Sequence, residues 1–327
     1  MKKITVTNDM QGQRLDKYLK RLLPSCPSGL LYKQLRKKNI TLCGKKADGS
    51  ELIKEGDTVE IFFSDETFSK FSSAEKTDLS RYQNAVKHLG HIPVVREEED
   101  FIVFNKPSGI LSQSDDSGDY SVNDYLIGYI LSKDQKAAEH LSVFRPSVCN
   151  RLDRNTSGLI VCSKTLQGAQ AFNSYFSNRS LKKVYLALVY GSFDKDGIFN
   201  AYVRKDESEN VLRFLKEAEP DSMEIKTGFE TVKKSKDVSL LKVSLYTGKS
   251  HQIRAHLSQL GFPIIGDPKY GTDKGKYKIR HQMLHAYSLT IGDDLPRYSG
   301  LEFKAPVPDD MADICRSEFG SLEDLGL

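Results

Sequence analysis

The residues best placed to do chemistry lie in three segments. Asn150-Arg151-Leu152-Asp153-Arg154-Asn155-Thr156-Ser157-Gly158 sets one carboxylate between two arginines, on a turn that runs into an apolar strand. Opposite charge nearby keeps an aspartate ionised, and a fixed ionised carboxylate can act as nucleophile or base. The pattern equally suits a salt-bridged turn closed by an Asx hydrogen bond. Thr247-Gly248-Lys249-Ser250-His251-Gln252-Ile253-Arg254-Ala255-His256-Leu257 gathers cations and histidines at a helix start, a place suited to anions. A capped amphipathic helix reads the same way. Lys182-Lys183-Val184-Tyr185-Leu186-Ala187-Leu188-Val189-Tyr190-Gly191 is a strand with a basic entry. Its Tyr185 could stack on a nucleobase or fill a core.

Other patterns fail on inspection. Thr247-Gly248-Lys249-Ser250 suggests a phosphate loop, but the glycine such a loop needs five positions earlier is Val243. His281 and His285 have the spacing of a zinc-protease helix, but the residue after His281 is Gln282, so the general base is missing. The five cysteines (26, 43, 149, 162, 315) form no C-x-x-C pair. They predict neither a disulfide framework nor a Cys-rich metal site, and fit free thiols in a reducing cytoplasm.

These segments need elements to hold them. Residues 11–63 form a compact head. Leu15, Leu19, Leu22 and Leu23 recur at helical spacing, with Asp16, Lys17, Lys20 and Arg21 opposite. A second helix from about Ser28 to Lys38, with Ser28 as a good start signal, turns Leu30, Leu31 and Leu35 inward. Two short strands, 40–47 and 57–63, follow. Residues 64–80 hold five serines and no sustained period, and predict a linker, with a short helix near Tyr82–Leu89. Beyond Val94, strands at 101–105, 158–162, 184–191 and 238–246 mix with helices at 164–176 and after Ser250, a candidate cap. The expected division is 1–63, a linker at 64–91, and a large domain at 92–327.

Charge follows the same division. The 327 residues carry +4 overall. Residues 1–63 carry +6 and the remainder −2. A basic head on a near-neutral body fits a polyanion-binding module attached to something else. No run approaches the roughly 20 apolar residues of a membrane span. The first residues lack the apolar core of a signal peptide.

In this order, the three segments resemble the RluA-type pseudouridine synthases. The likeness extends to Asp100-Phe101-Ile102-Val103-Phe104-Asn105-Lys106-Pro107-Ser108-Gly109, to Gly261 through Gly271, and to the closing stretches Met283–Ala286 and Phe303–Pro308. Residues 11–63 resemble the S4 RNA-binding domain that many members carry. Two departures stand out. Asn150 replaces a usual histidine, and Gly248-Lys249-Ser250 replaces Gly-Arg-Thr. Both fall outside the carried-over catalytic positions.

The resemblance implies an α+β pseudouridine synthase fold. A mixed, largely antiparallel sheet would be flanked by helices, with a small S4-like α/β domain in front. It implies isomerisation of uridine in RNA, with 23S rRNA favoured over tRNA. A catalytically silent RNA-binding protein of the same fold is the alternative of another class. Asp153 would meet the sugar, either adding to it or removing a C2′ proton to give a glycal. Arg254 would pair with Asp153. Tyr185 would stack on the uracil, and its hydroxyl is a candidate for the C5 proton. Arg151 would fill the gap left by the flipped base. Arg14, Lys33, Arg36, Lys37 and Lys38 would grip RNA phosphates. The reaction oxidises nothing and adds no group, so the expectation is no cofactor, no nucleotide and no metal. A cytoplasmic monomer completes it.

Overall fold

The computed structural model describes the chain except for residues 73–78, 140, 142–143, 272–276, 294–296 and 321–327. The N-terminal unit contains β1 (Lys2–Thr5), α1 (Leu15–Leu22), α2 (Ser28–Arg36), β2 (Ile40–Leu42), β3 (Lys45–Lys46), β4 (Thr58–Ile61) and α3 (Asp65–Ser72). Its four strands form one antiparallel sheet in the order β1-β4-β2-β3. Leu15, Leu19 and Leu23 meet Leu31 and Leu35 over Ile40, Val59 and Ile61 in one core.

Four details of this unit depart from expectation. Asp16 is not on the outer side but buried, 4% exposed. Tyr32 Oη donates to it at 2.8 Å and Arg14 Nε at 3.2 Å, so its charge is compensated. Pro27, not Ser28, precedes α2, and no side chain caps that helix. Proline's fixed φ starts the turn instead. The supposed linker is helical over Asp65–Ser72, where Phe68 and Phe71 lie against the head core. Two aromatic anchors in an otherwise polar stretch hid its period. The linker's residues 73–78 lie outside the described residues. Finally, β1 lies ahead of the compact unit read from residue 11, as a strand not foreseen within 1–63, and completes its sheet.

The larger unit runs α4 (Ser80–Leu89), β5 (Val94–Glu97), β6 (Phe101–Lys106), α5 (Val122–Lys133), β7 (Ser147–Val148), β8 (Ser157–Ser163), α6 (Leu166–Ser177), β9 (Leu181–Tyr190), β10 (Gly197–Asp206), β11 (Val211–Leu215), β12 (Met223–Lys234), β13 (Val238–Leu245), α7 (Gln252–Gln259), β14 (Leu284–Ile291), β15 (Glu302–Lys304) and α8 (Asp309–Phe319). Its eleven strands form one sheet in the order β11-β10-β12-β13-β9-β14-β8-β6-β5, with β15 on β14 and β7 on β8. The pair β14–β8 is parallel, and the other pairs of this sheet are antiparallel. This is the mixed, largely antiparallel sheet expected. No described helix is long and apolar enough to cross a membrane.

Position in the sheet follows from side chains. All seven residues of β8 are buried, as a central strand covered on both faces requires. Gly158 shows how tightly β8 meets β14. Its φ is +109°, and a Cβ there would lie 2.3 Å from the Ala286 carbonyl oxygen. Only glycine allows both the conformation and the approach. Helix α6 starts at Thr165, whose Oγ1 accepts from the Gly168 N–H at 3.1 Å. Helix α5 starts with a reciprocal Ser121–Asp124 capping box.

His281 and His285 share no helix. His281 pairs with Asp310 at 3.0 Å, and His285 lies on β14 with Nδ1 2.9 Å from Ser157 Oγ. Burial pushes the His285 pKa from 6.5 down to about 4. Between those values the unfolded chain holds a proton that the folded protein does not. Stability from this group is therefore lost as pH falls through that window. His285→Gln should flatten the slope of unfolding free energy against pH there by about 1.4 kcal/mol per unit. Urea unfolding across that range measures it, and an unchanged slope would show that His285 is not held neutral.

Candidate active site

A loop, a strand and a helix converge on a cleft of about 690 Å³. Asp153 enters from the loop before β8, Tyr185 from β9, and Arg254 from α7. The structure thus brings together residues that are 32 to 101 positions apart in sequence.

The Asp153 loop is held from below. The Thr156 N–H donates to the Asp153 carbonyl at 3.0 Å, closing the turn. Ser112 Oγ accepts from the Leu152 N–H at 2.9 Å and donates to the Leu152 carbonyl at 2.8 Å. Asn150, at one departure from the family pattern, pins the loop to β8. Its Oδ1 accepts from the Val161 N–H at 2.7 Å, and its Nδ2 donates to the Leu159 carbonyl at 3.3 Å.

Lys106 is fully buried beneath the loop. Its Nζ donates to the carbonyls of Pro107, Ile110 and Arg154, each at 2.9 Å. Three acceptors match the three protons of an ammonium. Burial pushes its pKa down to about 7, while the charge of Asp153 acts the other way. The Gly109 N–H also donates to the Arg154 carbonyl at 2.9 Å.

Arg254 links the parts of the site. Its Nη1 donates to Asp153 Oδ2 at 2.8 Å. Its Nε and Nη2 donate to Asp267 Oδ2 and Oδ1, both at 2.8 Å. The Arg254 side chain is 6% exposed and that of Asp267 not at all, whereas Asp153 keeps 25% toward the cleft. Burial opposes the charge of Arg254, but the hydrogen bonds and charge of Asp267, with Asp153, more than offset it and raise its pKa. Burial likewise opposes the charge of Asp267. Arg254 and the backbone N–H groups of Lys269 and Tyr270 outweigh it and hold the carboxyl below its ordinary range. The Tyr270 ring lies 5.3 Å from the Arg254 guanidinium carbon.

The helix bearing Arg254 starts differently from expectation. His251, not Ser250, stands at its N-terminus, with φ 59° in the left-handed region and no side-chain cap. Gln252 anchors the helix to the sheet instead. Its Nε2 donates to Thr227 Oγ1 at 2.9 Å, and its Oε1 accepts from the Lys249 N–H at 3.1 Å.

Tyr185 lines the cleft, paired in register with Val243 and Ala286. Burial, then the charge of Asp153, raises its hydroxyl pKa. The hydroxyl therefore faces the cleft protonated at neutral pH. Arg151 also lines the cleft and is exposed. Lys33, Arg36, Lys37 and Lys38 are exposed on α2 and the turn after it, away from this cleft, and Arg14 pairs with Asp16. Among the described residues, no three His, Cys, Asp or Glu side chains gather as a metal site.

The arrangement offers a fixed carboxylate, a cation to orient it, and an aromatic wall in one cleft open at one side. Sequence reasoning missed Lys106, Asp267, Ser112 and His251. Lys106 and Asp267 stood inside quoted motifs; for Lys106, a charged residue closing an apolar strand was the available signal.

Comparison with known proteins agrees with this geometry. Residues 100–259 match the RNA pseudouridylate synthase family. The chain is 31% identical over 316 residues to an uncharacterized RNA pseudouridine synthase of Mycoplasma pneumoniae, covering 93% of this chain and 94% of that one. It is 30% identical over 315 residues to ribosomal large subunit pseudouridine synthase C of Rickettsia bellii, covering 93% and 98%. The human RNA pseudouridylate synthase domain containing 4 shares the fold, with TM-score 0.57 at 20% identity over 72% of this chain and 96% of that one. The chain belongs to the RNA pseudouridine synthases of the RluA type, enzymes that isomerise uridine in RNA to pseudouridine.

Replacing Lys106 tests how the loop is held. Lys106→Met fills a similar volume but takes the ammonium from the Pro107 and Ile110 carbonyls and leaves that of Arg154 with the Gly109 N–H alone. It should cost about 2–4 kcal/mol of unfolding free energy. Turnover should fall further than RNA affinity, because Asp153 loses its footing. Urea titration and single-turnover rates measure the two effects.

Proposed function

We propose that this enzyme isomerises uridines of large-subunit ribosomal RNA, with Asp153 as the carboxylate that meets the sugar. The observation that carries the roles is the Arg254–Asp153 pair, 2.8 Å long, on the wall of a cleft that Tyr185 also lines. In the reaction the N1–C1′ bond breaks, the base turns, and C5 takes the place of N1. Asp153 either bonds to C1′ or removes the C2′ proton. Arg254 orients it. Tyr185 stacks on the uracil. Its protonated hydroxyl cannot accept the C5 proton until another group takes its own. Arg151 reaches from the same loop to stack where the base has left the helix. Isomerisation changes no oxidation state and calls for no cofactor. The free thiols suit a reducing cytoplasm.

The choice of RNA rests on the name of the Rickettsia bellii relative and on the basic head. Pseudouridine mapping of total RNA, with and without the gene, should lose one or more sites in 23S rRNA. Loss confined to tRNA would transfer the assignment there. Asp153→Asn keeps size and polarity but removes the charge. It should abolish turnover and leave RNA affinity within about threefold, since cleft and head still supply the phosphate contacts. Multiple turnover by the purified variant would overturn the role of Asp153.

The head would hold a second part of the same RNA through Lys33, Arg36, Lys37 and Lys38, with Arg14 less free because of Asp16. Since α3 packs on the head, a clean truncation removes residues 1–72. The remainder should weaken RNA binding most at low salt and flatten the salt slope by roughly one unit per lost phosphate contact. Its single-turnover rate at saturating RNA should change little. An unchanged slope would show that the head is not an RNA grip.

A further inference from the structure

His251 lines the cleft beside Asp153 and has no part in the reading above. Its backbone is left-handed, with φ 59° and ψ 11°, in a residue that is not glycine. Such strain persists where the surroundings over-determine a side chain's position. The side chain is 13% exposed, so the ring is held rather than loose at the surface.

Hydrogen-bond direction suits one tautomer of this ring. The Leu212 N–H donates to Tyr270 Oη at 2.8 Å. The Tyr270 hydroxyl hydrogen is then free for His251 Nδ1, 3.3 Å away. With Nδ1 accepting that hydrogen, the neutral imidazole carries its own on Nε2. Burial lowers the pKa of this ring, against the pull of Asp153, which favours that neutral form.

Nε2–H faces Asp153 Oδ2 at 4.0 Å, too far for a hydrogen bond between them. The gap is the right width for one oxygen that bonds to both. Two hydrogen bonds of roughly 2.8 Å span it with an angle at the oxygen of roughly 90°. Such an oxygen accepts from the imidazole and donates to the carboxylate, which a hydroxyl of the substrate does, as does the water it would displace. The sugar next to the reacting C1′ offers one in that relation, at C2′.

We infer that His251 and Asp153 together bind the ribose 2′-hydroxyl of the target uridine, and so select RNA over DNA at the reacting nucleotide. His251 is thereby a substrate-binding and specificity-determining residue, and no proton leaves it during the reaction. The 2′-hydroxyl is the group by which a protein tells the two nucleic acids apart. The inference rests on Asp153 being the carboxylate that meets the sugar.

The test pairs enzyme variants with a short synthetic RNA carrying the mapped target uridine, made with uridine or 2′-deoxyuridine at that one position. The wild-type enzyme should turn over the deoxy substrate about tenfold more slowly or worse, because its absence leaves polar groups unpaired. His251→Asn tolerates the left-handed backbone but cannot reach as far. It should slow the ribose substrate and bring the two rates within about twofold of each other. His251→Gln places an amide N–H near the old Nε2 and should restore part of the preference. Tyr270→Phe frees the tautomer and should weaken the preference, a readout that holds even if His251→Asn fails to fold. A wild-type enzyme indifferent to the 2′ group, or a preference undiminished in His251→Asn and Tyr270→Phe, overturns the inference. Asp153→Asn run alongside separates the two readings, since turnover by that variant would sink the role of Asp153 itself.

Discussion

A single guanidinium shared between two carboxylates governs the rest of this structure. A buried arginine facing one aspartate would form a closed ion pair, with little charge left for chemistry. Arg254 instead gives its Nε–Nη2 edge to Asp267 in a bidentate pair and turns only Nη1 toward Asp153. The buried pair of Arg254 and Asp267 is formally neutral. Asp153 therefore remains the excess negative charge of the group, fixed in place and partly open to the cleft. That combination suits the role proposed for Asp153 at the sugar.

The arrangement is costly to bury, and the fold is built around the cost. Asp267 takes two backbone N–H groups from Lys269 and Tyr270, so the 266–271 loop must keep its turn. Gly266 and Gly271 permit it, since a Cβ on either would lie within 2.4 Å of a backbone carbonyl. Arg254 depends on α7, and α7 depends on Gln252 reaching the β12 backbone and Thr227. Asp153 depends on the loop that Lys106, Ser112 and Asn150 hold against β6 and β8. Beside that loop, the parallel β8–β14 pair and Gly158 bring β14 close. Each support is a polar contact inside an apolar sheet, where an unpaired partner would be expensive.

The strands that carry the site were legible, at 101–105, 158–162, 184–191 and 238–246, because each holds a run rich in β-branched, aromatic and leucine residues. The three segments bearing Asp153, Tyr185 and Arg254 were legible as chemistry-bearing runs, and the structure places them in one cleft. What escaped notice has physical reasons. Strands β10 and β12 alternate toward solvent, and their charged outward residues obscure the pattern. Helix α3 has only two anchoring aromatics. His251 sits where Ser250 looked like the cap, because the left-handed turn is set by the tertiary pull of Tyr270 and not by local propensity. Asp16 read as a surface charge, and Lys106 and Asp267 were given no role, since burial of a charge is decided by partners distant in sequence.

The unforeseen arm of β10 to β12 is also part of the site. The hairpin between β10 and β11 reaches the cleft, where Asn210 forms part of the wall. Lys269 Nζ donates to the carbonyls of Glu209 and Asn210 at 3.0 and 3.1 Å, and Tyr270 Oη accepts from Leu212. Lys269 and Tyr270 lie two and three positions after Asp267. One short loop therefore does two jobs: Asp267 fixes Arg254 from behind, and Lys269 and Tyr270 fix the hairpin tip in front. Displacing the tip would remove a partner of Tyr270, and Tyr270 lies against both the Arg254 guanidinium and His251. The hairpin wall of the cleft and the ion cluster behind it are thus fastened to the same few residues. A change in one would be felt by the other over a path of two contacts.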